Sequence, residues 1–118
     1  MVLNEIKTKL EEIDKRVYYG IVDTEDVKHT AWNYIVFNRA ALKNSANKTG
    51  YSDTYEVHIV RENFVPEGID TEVIAKMLEI DGMRLAGQDG VFDYALKPST
   101  NMIVEMLTLH FVRARKNV

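Results

Sequence analysis

The stretch 102–116, MIVEMLTLHFVRARK, decides the fold because its apolar residues fit two different secondary structures. On a helical template they recur at a spacing of three and four and form one stripe. Periodicity alone does not separate a buried helix from a strand that is buried on both faces. On a strand template the two faces are Ile103, Leu107, Leu109 and Phe111 on one side and Met102, Val104, Met106 and Val112 on the other.

Residue composition and capping signals favour the strand. The stretch is rich in β-branched and aromatic residues, which are typical of strands. None of Ser99, Thr100 and Asn101 has a glutamate or glutamine three residues later, so a helix would lack a capping box. The turn PSTN at 98–101 would let the preceding strand pair with this one. A strand with two apolar faces needs a cover on each, and a second subunit is one source of the second cover.

Composition predicts a single globular domain, residues 1–118, that folds without disulfides. Hydrophobic residues make up 46% and charged residues 28% of the chain, and the formal net charge is -3. The absence of cysteine excludes disulfides, thiolate metal sites and cysteine catalysis. The opening MVLNEIKTKL carries charges where a signal peptide is apolar, so we expect the protein to act inside the producing cell or to be packaged there.

Periodicity and turn residues predict an α+β fold, in which an antiparallel or mixed sheet of four to five strands packs against two helices in the order αβββαββ. The second helix has Asp70 as its predicted cap and Leu85 in its buried stripe. A flexible polar loop is predicted at 43–52. The predicted helices cover 2–16 and 70–86, and the predicted strands cover 17–22, 32–42, 53–62, 91–97 and 102–115.

The sequence contains no pattern typical of an enzyme or of a metal or cofactor site. His29, His58 and His110 have no second histidine at ligand spacing. The serines are outside any nucleophile-elbow sequence, and the glycines do not form a phosphate loop. The few basic residues at the end of the chain are a small footprint for nucleic acid in an acidic protein. We therefore expect a protein that is not an enzyme and that binds no cofactor.

The order of elements, together with four stretches of sequence, resembles the tail-terminator and head–tail joining proteins of long-tailed phages. The resemblance covers essentially the whole chain and includes no catalytic motif. The four stretches are WNYIVFNRAAL at 32–42, GYSDTYEVHIV at 50–60, IDTEVIAKMLEIDGMRL at 69–85, and the terminal hairpin FDYALKP at 92–98 with NMIVEMLTLHFVRARK at 101–116.

The resemblance implies a structural virion protein of the tail or neck that forms a ring, usually of six subunits. Such a ring caps the tail tube, offers a docking surface to the head–tail connector, and leaves an axial channel through which DNA passes without specific binding. It would assemble in the host cytoplasm and would have no contact with a membrane. Its expected contact residues here are Lys43, Asn44, Ser45, Asn47 and Lys48 in the polar loop and Arg113, Arg115 and Lys116 at the end of the chain.

Three alternatives remain open from the sequence. One is a small ligand-binding α+β domain with an apolar pocket lined by Trp32, Tyr34, Phe37 and Phe92. The second is a host regulatory or assembly subunit with no viral role. The third is another neck or connector component, because such components share the same small α+β character.

Overall fold

The long strand near the end of the chain is central to a mixed sheet in the computed structural model, which describes residues 2–22, 31–44, 50–87 and 90–116. The α+β class is confirmed, and the described residues form one strand more than the upper predicted number. The helices are α1 (Val2–Glu11) and α2 (Ile69–Leu78). The strands are β1 (Val17–Tyr19), β2 (Tyr34–Asn44), β3 (Gly50–Glu62), β4 (Met83–Leu85), β5 (Val91–Leu96) and β6 (Ile103–Lys116).

Strand β6 confirms the strand interpretation of 102–115 and organises the sheet. It pairs antiparallel with β3 along its length, from Val104 opposite Glu62 to Lys116 opposite Gly50. Its other edge pairs with β5 near its start and with β4 near its end. Beyond β3 lie β2, which is antiparallel to it, and β1, which is parallel to β2. The sheet therefore runs from β1 at one side to β4 and β5 at the other.

The side of the sheet against which α1 and α2 pack, here called the helix face, holds the main core. Alternation along β3 buries Tyr55, Val57 and Ile59 on this face, as predicted. Strand β6 adds Leu107 and Phe111 in the same core. The apolar residues that the helices contribute to this core are Ile6, Leu10, Val73 and Met77.

The opposite side, here called the second face, carries a smaller apolar cluster. Tyr34, Val36, Val60 and Val104 are buried there, and Val104 belongs to the second predicted face of β6. The described ends of the β1–β2 connection supply partly buried cover from Val22 and Trp32. The chain itself therefore covers part of the face for which the sequence suggested a second subunit.

Both predicted helices are too long. The carboxylate of Asp14 accepts the backbone N–H of Arg16 in a turn at 3.1 Å, so α1 ends well before residue 16. Helix α2 ends at Leu78, well before the predicted residue 86, and Gly82, with φ 80, lies in the turn that leads into the next strand. Residues 83–85 then form β4 and pair with β6, which leaves Leu85 43% exposed instead of buried.

The cap of α2 and the ends of three strands also differ from the prediction. Gly68, with φ 101, occupies the N-cap position in place of Asp70, whose carboxylate instead accepts the N–H groups of Gly68 and Thr71. Strand β1 stops at Tyr19 because Gly20 has φ 80. Strands β2 and β3 extend into the predicted loop 43–52, of which 45–49 lie outside the described residues.

Replacing Leu107 by aspartate tests the inward face of β6. Leu107 is 3% exposed in the main core, so the substitution buries an unpaired charge and should lower the free energy of unfolding by about 3 kcal/mol or more. Leu96→Asp is the matched control. Because Leu96 is 62% exposed in the neighbouring strand, this variant should lose much less of the free energy of unfolding. The measurement is chemical denaturation; equal denaturation midpoints for Leu107→Asp and the unmodified protein would contradict the assignment.

Replacing Gly50 by alanine tests the pairing of β3 with β6 at the far end of the sheet. A Cβ at Gly50 would lie 2.8 Å from the carbonyl oxygen of Arg115, so one strand must move. We expect a loss of about 1–3 kcal/mol in thermal or chemical unfolding. Gly87→Ala is the control, since a Cβ there meets nothing within 4 Å. Equal stability of the two variants would show that this end of the pairing is loose.

Candidate interaction surface

Strand β5 exposes apolar side chains along an edge of the sheet. All six residues of β5 are exposed, although four of them have large apolar side chains. These four are Val91, Phe92, Tyr94 and Leu96. Among the described residues β5 pairs only with β6, so its outer backbone N–H and C=O groups have no neighbouring strand. An exposed apolar edge is a template for pairing with another chain.

The hairpin that holds β5 in place forms as the turn PSTN predicts. The N–H of Lys97 donates to the carbonyl of Met102 at 2.9 Å, and the N–H of Thr100 donates to the carbonyl of Lys97 at 3.1 Å. The ammonium group of Lys97 lies 2.7 Å from the carboxylate of Glu62, which fastens the hairpin to the end of β3. The edge strand is therefore anchored at its turn, while no strand of the described residues pairs with its outer side.

Further exposed apolar residues extend this surface beyond β5. Ile103, at the start of β6, shares the parity of Leu107 but lies outside the core and is half exposed. Phe64 is also exposed. The N–H of Asn63, the residue before it, donates to the carbonyl of Ile103 at 2.7 Å. The β5 surface is defined here as Phe64, Val91, Phe92, Tyr94, Leu96, Met102 and Ile103, all of which are exposed. Exposed apolar residues grouped along one edge in this way make the β5 surface a candidate interaction site.

Glu105 fixes the part of the β5 surface around Tyr94. Its carboxylate accepts the N–H of Val65 at 2.7 Å. A hydrogen bond between Tyr94 and the same carboxylate raises the pKa of the Tyr94 hydroxyl. The ring of Tyr94 is nevertheless 65% exposed, so this side chain is oriented but uncovered.

A shallow pocket of about 170 Å³ opens on the second face beside β5. Trp32 and Tyr34 line it, as the ligand-domain alternative predicts. Phe37 and Phe92 do not, and that part of the prediction is wrong. Phe37 lies an odd number of residues from Tyr34 and is buried in the main core, while Phe92 is opposite Leu107 on the helix face. The other lining residues are Val60, Asp93, Tyr94, Ala95, Val104 and Met106.

A chain of polar side chains occupies the middle of the second face. The amide of Asn38 donates to Glu56 at 3.0 Å, so its oxygen accepts from Nε2 of His58 at 2.9 Å. Nδ1 of His58 in turn accepts the hydroxyl of Thr108 at 2.8 Å. Glu56 also accepts from Nε2 of His110 at 3.2 Å. These five residues are here called the polar network.

Burial and mutual hydrogen bonds set the charges in the polar network. Burial lowers the pKa of His58, although the nearby carboxylate of Glu56 opposes this shift. The hydrogen bond from Asn38 contributes most to lowering the pKa of Glu56. Thr108, the only hydroxyl in the network, is buried within a central strand and is held by His58. The hydroxyl of Thr108 is therefore held in a hydrogen bond to His58 and is largely buried.

The structure brings some of the predicted contact residues together at one end of the sheet. In the β3 register Tyr51 faces Arg115 on one side and Asn44 on the other, and the backbone of Lys116 faces Gly50. Lys43 directly precedes Asn44 in β2 and is exposed. Ser45, Asn47 and Lys48 lie outside the described residues.

Arg113 and Arg115 both contact their own chain. Arg115 donates through two nitrogens to the buried carboxylate of Asp53 at 2.7 and 2.8 Å. This pair lowers the pKa of Asp53. Arg113 donates to the carbonyl of Asp81 at 3.0 Å and so connects β6 to the turn before β4. Two of the predicted contact residues therefore hold the end of the sheet together.

Sequence reasoning missed the β5 surface, although one signal for it was present. In VFDYAL the apolar residues fall on both parities, as they do in β6. A strand this short, next to turns at both ends, is placed more easily at an edge than in the centre of a sheet. Alternation could not show that no further element covers this strand.

Among the residues that the structure describes, no group of three or more histidine, aspartate or glutamate side chains is arranged to hold a metal ion. No helix in the described parts of the chain is both long enough and apolar enough to cross a bilayer. No protein-family model matches the sequence, and no curated protein matches it either.

The polar network predicts a loss of stability in weak acid. Because folded His58 has a pKa below its ordinary 6.5, the unfolded chain binds more protons as the pH falls through 6.5 toward the folded value, and stability declines there. His58→Gln should make the decline between about pH 7 and about pH 5.5 shallower. The carboxylates with lowered pKa values act in a separate window, below about pH 4.5. Denaturation at a series of pH values measures how steeply the free energy of unfolding changes in each window. If this slope between about pH 7 and about pH 5.5 were the same for His58→Gln and the unmodified protein, the role of His58 would be contradicted.

Proposed function

We propose that this chain is a structural subunit of the tail or neck of a long-tailed phage. It assembles into a ring that caps the tail tube or joins it to the head–tail connector, with DNA passing through the axial channel. The observation that supports the proposal best is the β5 surface. In this role the protein is not an enzyme, uses no cofactor, and belongs to the virion after assembly in the host cytoplasm.

The β5 surface supports assembly because it has two features that are unfavourable in a lone subunit. The first is its exposed apolar side chains, since covering them would stabilise an assembly by about 25 cal/mol for each Å² removed from water. Its free backbone edge also invites pairing with other chains. Closed rings protect such surfaces on every subunit, whereas contacts that do not close produce filaments. The resemblance to tail-terminator proteins supplies the same expectation of a ring.

The shape of the subunit suits contacts along a tail axis. Its extents are 51 × 25 × 23 Å, and the long strands β2, β3 and β6 meet at an end that carries Lys43 and the backbone of Lys116. This end would contact the tail tube or the connector. The formal net charge of -3 disfavours tight binding of DNA phosphates and suits a channel through which DNA slides.

The ligand-binding alternative has weaker support. Pockets that enclose small molecules have volumes of about 300–1,000 Å³, whereas the pocket beside Trp32 measures about 170 Å³. The pocket is also shallow, and two of the four residues predicted to line it lie elsewhere. Its position beside β5 makes it an extension of the interaction surface.

Solution mass tests the assembly part of the proposal. Light scattering over a range of concentrations should reveal a ring-sized oligomer, and Tyr94→Lys should weaken association roughly tenfold or more, which equals about 1.4 kcal/mol. A lysine on an edge strand opposes pairing, while the exposed position and nearby Glu105 allow the subunit to stay folded. Leu78→Lys is the control, because Leu78 is exposed at the end of α2 and is not part of the β5 surface.

Tail joining tests the phage role of the same variants. Tails prepared without this subunit should join to DNA-filled heads when the unmodified protein or Leu78→Lys is added, and should stay unjoined with Tyr94→Lys. Genes for capsid, connector and tube proteins beside the gene for this chain would support the role further. A strictly monomeric protein that leaves tails unjoined would overturn the proposal.

A further inference from the structure

We infer that one end of the sheet is a docking site for an acidic protein surface, which it binds through three arginines on the helix face. This end patch is defined here as Arg39, Leu42, Tyr51, Arg113 and Arg115. Its residues lie on β2, β3 and β6, and none of them belongs to the β5 surface. Only the identity of the partner rests on the proposed function, in which the tail tube or the connector would present the acidic surface.

Strand register brings the residues of the end patch together. Asp53 of β3 lies opposite Leu42 in β2 and opposite Arg113 in β6. Two residues nearer the end of the sheet, Tyr51 lies opposite Arg115. These side chains share the helix face, because Asp53 has the parity of the core residues of β3.

A buried carboxylate lies among the three arginines. Asp53 is 6% exposed and accepts hydrogen bonds from Nε and Nη2 of Arg115. This interaction lowers the pKa of Asp53 most, and the positive charges of Arg39 and Arg113 lower it further. The carboxylate therefore stays ionised near all three guanidinium groups and holds Arg115 in a defined orientation.

Each arginine keeps N–H groups that no described residue uses. The side chain of Arg115 is 49% exposed, and its Nη1 takes no part in the pair with Asp53. Arg113 bonds through Nε to the carbonyl of Asp81, so both of its Nη groups remain. Arg39 is exposed, and its guanidinium makes no hydrogen bond or ion pair with a described residue. Such planar groups bind carboxylates through two parallel hydrogen bonds.

Acids among the described residues neutralise the end patch only in part. Asp53 lies among its three guanidinium groups, and Asp81 adds one further acidic residue at its border. Lys43 is exposed in β2 and adds a positive charge at the same end. The connection 45–49 lies outside the described residues, and Lys48 is its only charged residue in the sequence. The end patch therefore keeps a net positive charge, although the whole chain has a formal charge of -3.

Exposed apolar side chains in the end patch favour a protein partner over nucleic acid. Leu42 is 57% exposed and Tyr51 is 42% exposed, although both have the parity of the main core. Arginine and tyrosine are enriched in protein interfaces and carry much of their binding energy. The acidic chain as a whole disfavours the binding of phosphates. The end patch therefore fits a protein surface that presents aspartate or glutamate.

Binding of a fluorescently labelled oligoglutamate peptide tests the end patch. Fluorescence anisotropy should show binding that weakens as salt is added, because exposed charges are screened. Arg39→Glu should weaken this binding roughly tenfold or more, since it replaces an attraction by a repulsion. Arg84→Glu is the matched control, because Arg84 is an exposed arginine opposite Val112 and has the parity of the second face. The control should lose roughly twofold at most.

Three further samples make the result specific. A labelled oligoglutamine peptide of the same length should not bind, since it carries no carboxylate. A single-stranded DNA of the same charge should bind more weakly than the glutamate peptide, and tighter binding that depends on Arg39 would overturn the inference in favour of a nucleic-acid site. Arg39→Gln, which removes the charge without adding repulsion, should have an intermediate affinity. Melting temperatures close to that of the unmodified protein would show that the variants remain folded.

The remaining outcomes separate this inference from the proposed function. Equal affinity of Arg39→Glu and the unmodified protein for the glutamate peptide would overturn the inference. Rings of Arg39→Glu that join tails as well as rings of Arg84→Glu do would also overturn it and leave the proposed function standing. Arg39-dependent binding of the glutamate peptide by a protein that stays monomeric and leaves tails unjoined would support the end patch and overturn the proposed function.

Discussion

The antiparallel pairing of β3 with β6 sets the position of almost every other feature. Because side chains alternate, one register places Val57 and Leu109 on the helix face and Glu56 and His110 on the second face. A slip of one residue would move core side chains into the polar network and charged ones under the helices. The close approach of Gly50 to β6 and the Arg115 pair depend on the same register.

The second face shows how a strand with two apolar sides can fold without a complete second layer. At one end, Trp32 helps to cover Val60 and Val104. Further along, both ring nitrogens of His58 are hydrogen-bonded, to Thr108 and Asn38, so polar side chains occupy that region in place of an apolar cluster. Among the described residues, exposed apolar side chains therefore lie along the edge of β5, whereas the sequence suggested an uncovered face of β6.

The accuracy of sequence prediction follows the kind of signal available for each element. Alternation identified β3, and β-branched composition identified β6, because both strands are long and central. The predicted helix 70–86 was too long because the apolar pattern continues past Leu78, where α2 ends, and the three residues of β4 are too few to show a period of their own. The misplaced Phe37 was avoidable, since its spacing from Tyr34 already puts the two rings on opposite faces. The open edge of β5 was beyond sequence reasoning, since exposure depends on which elements do not cover it.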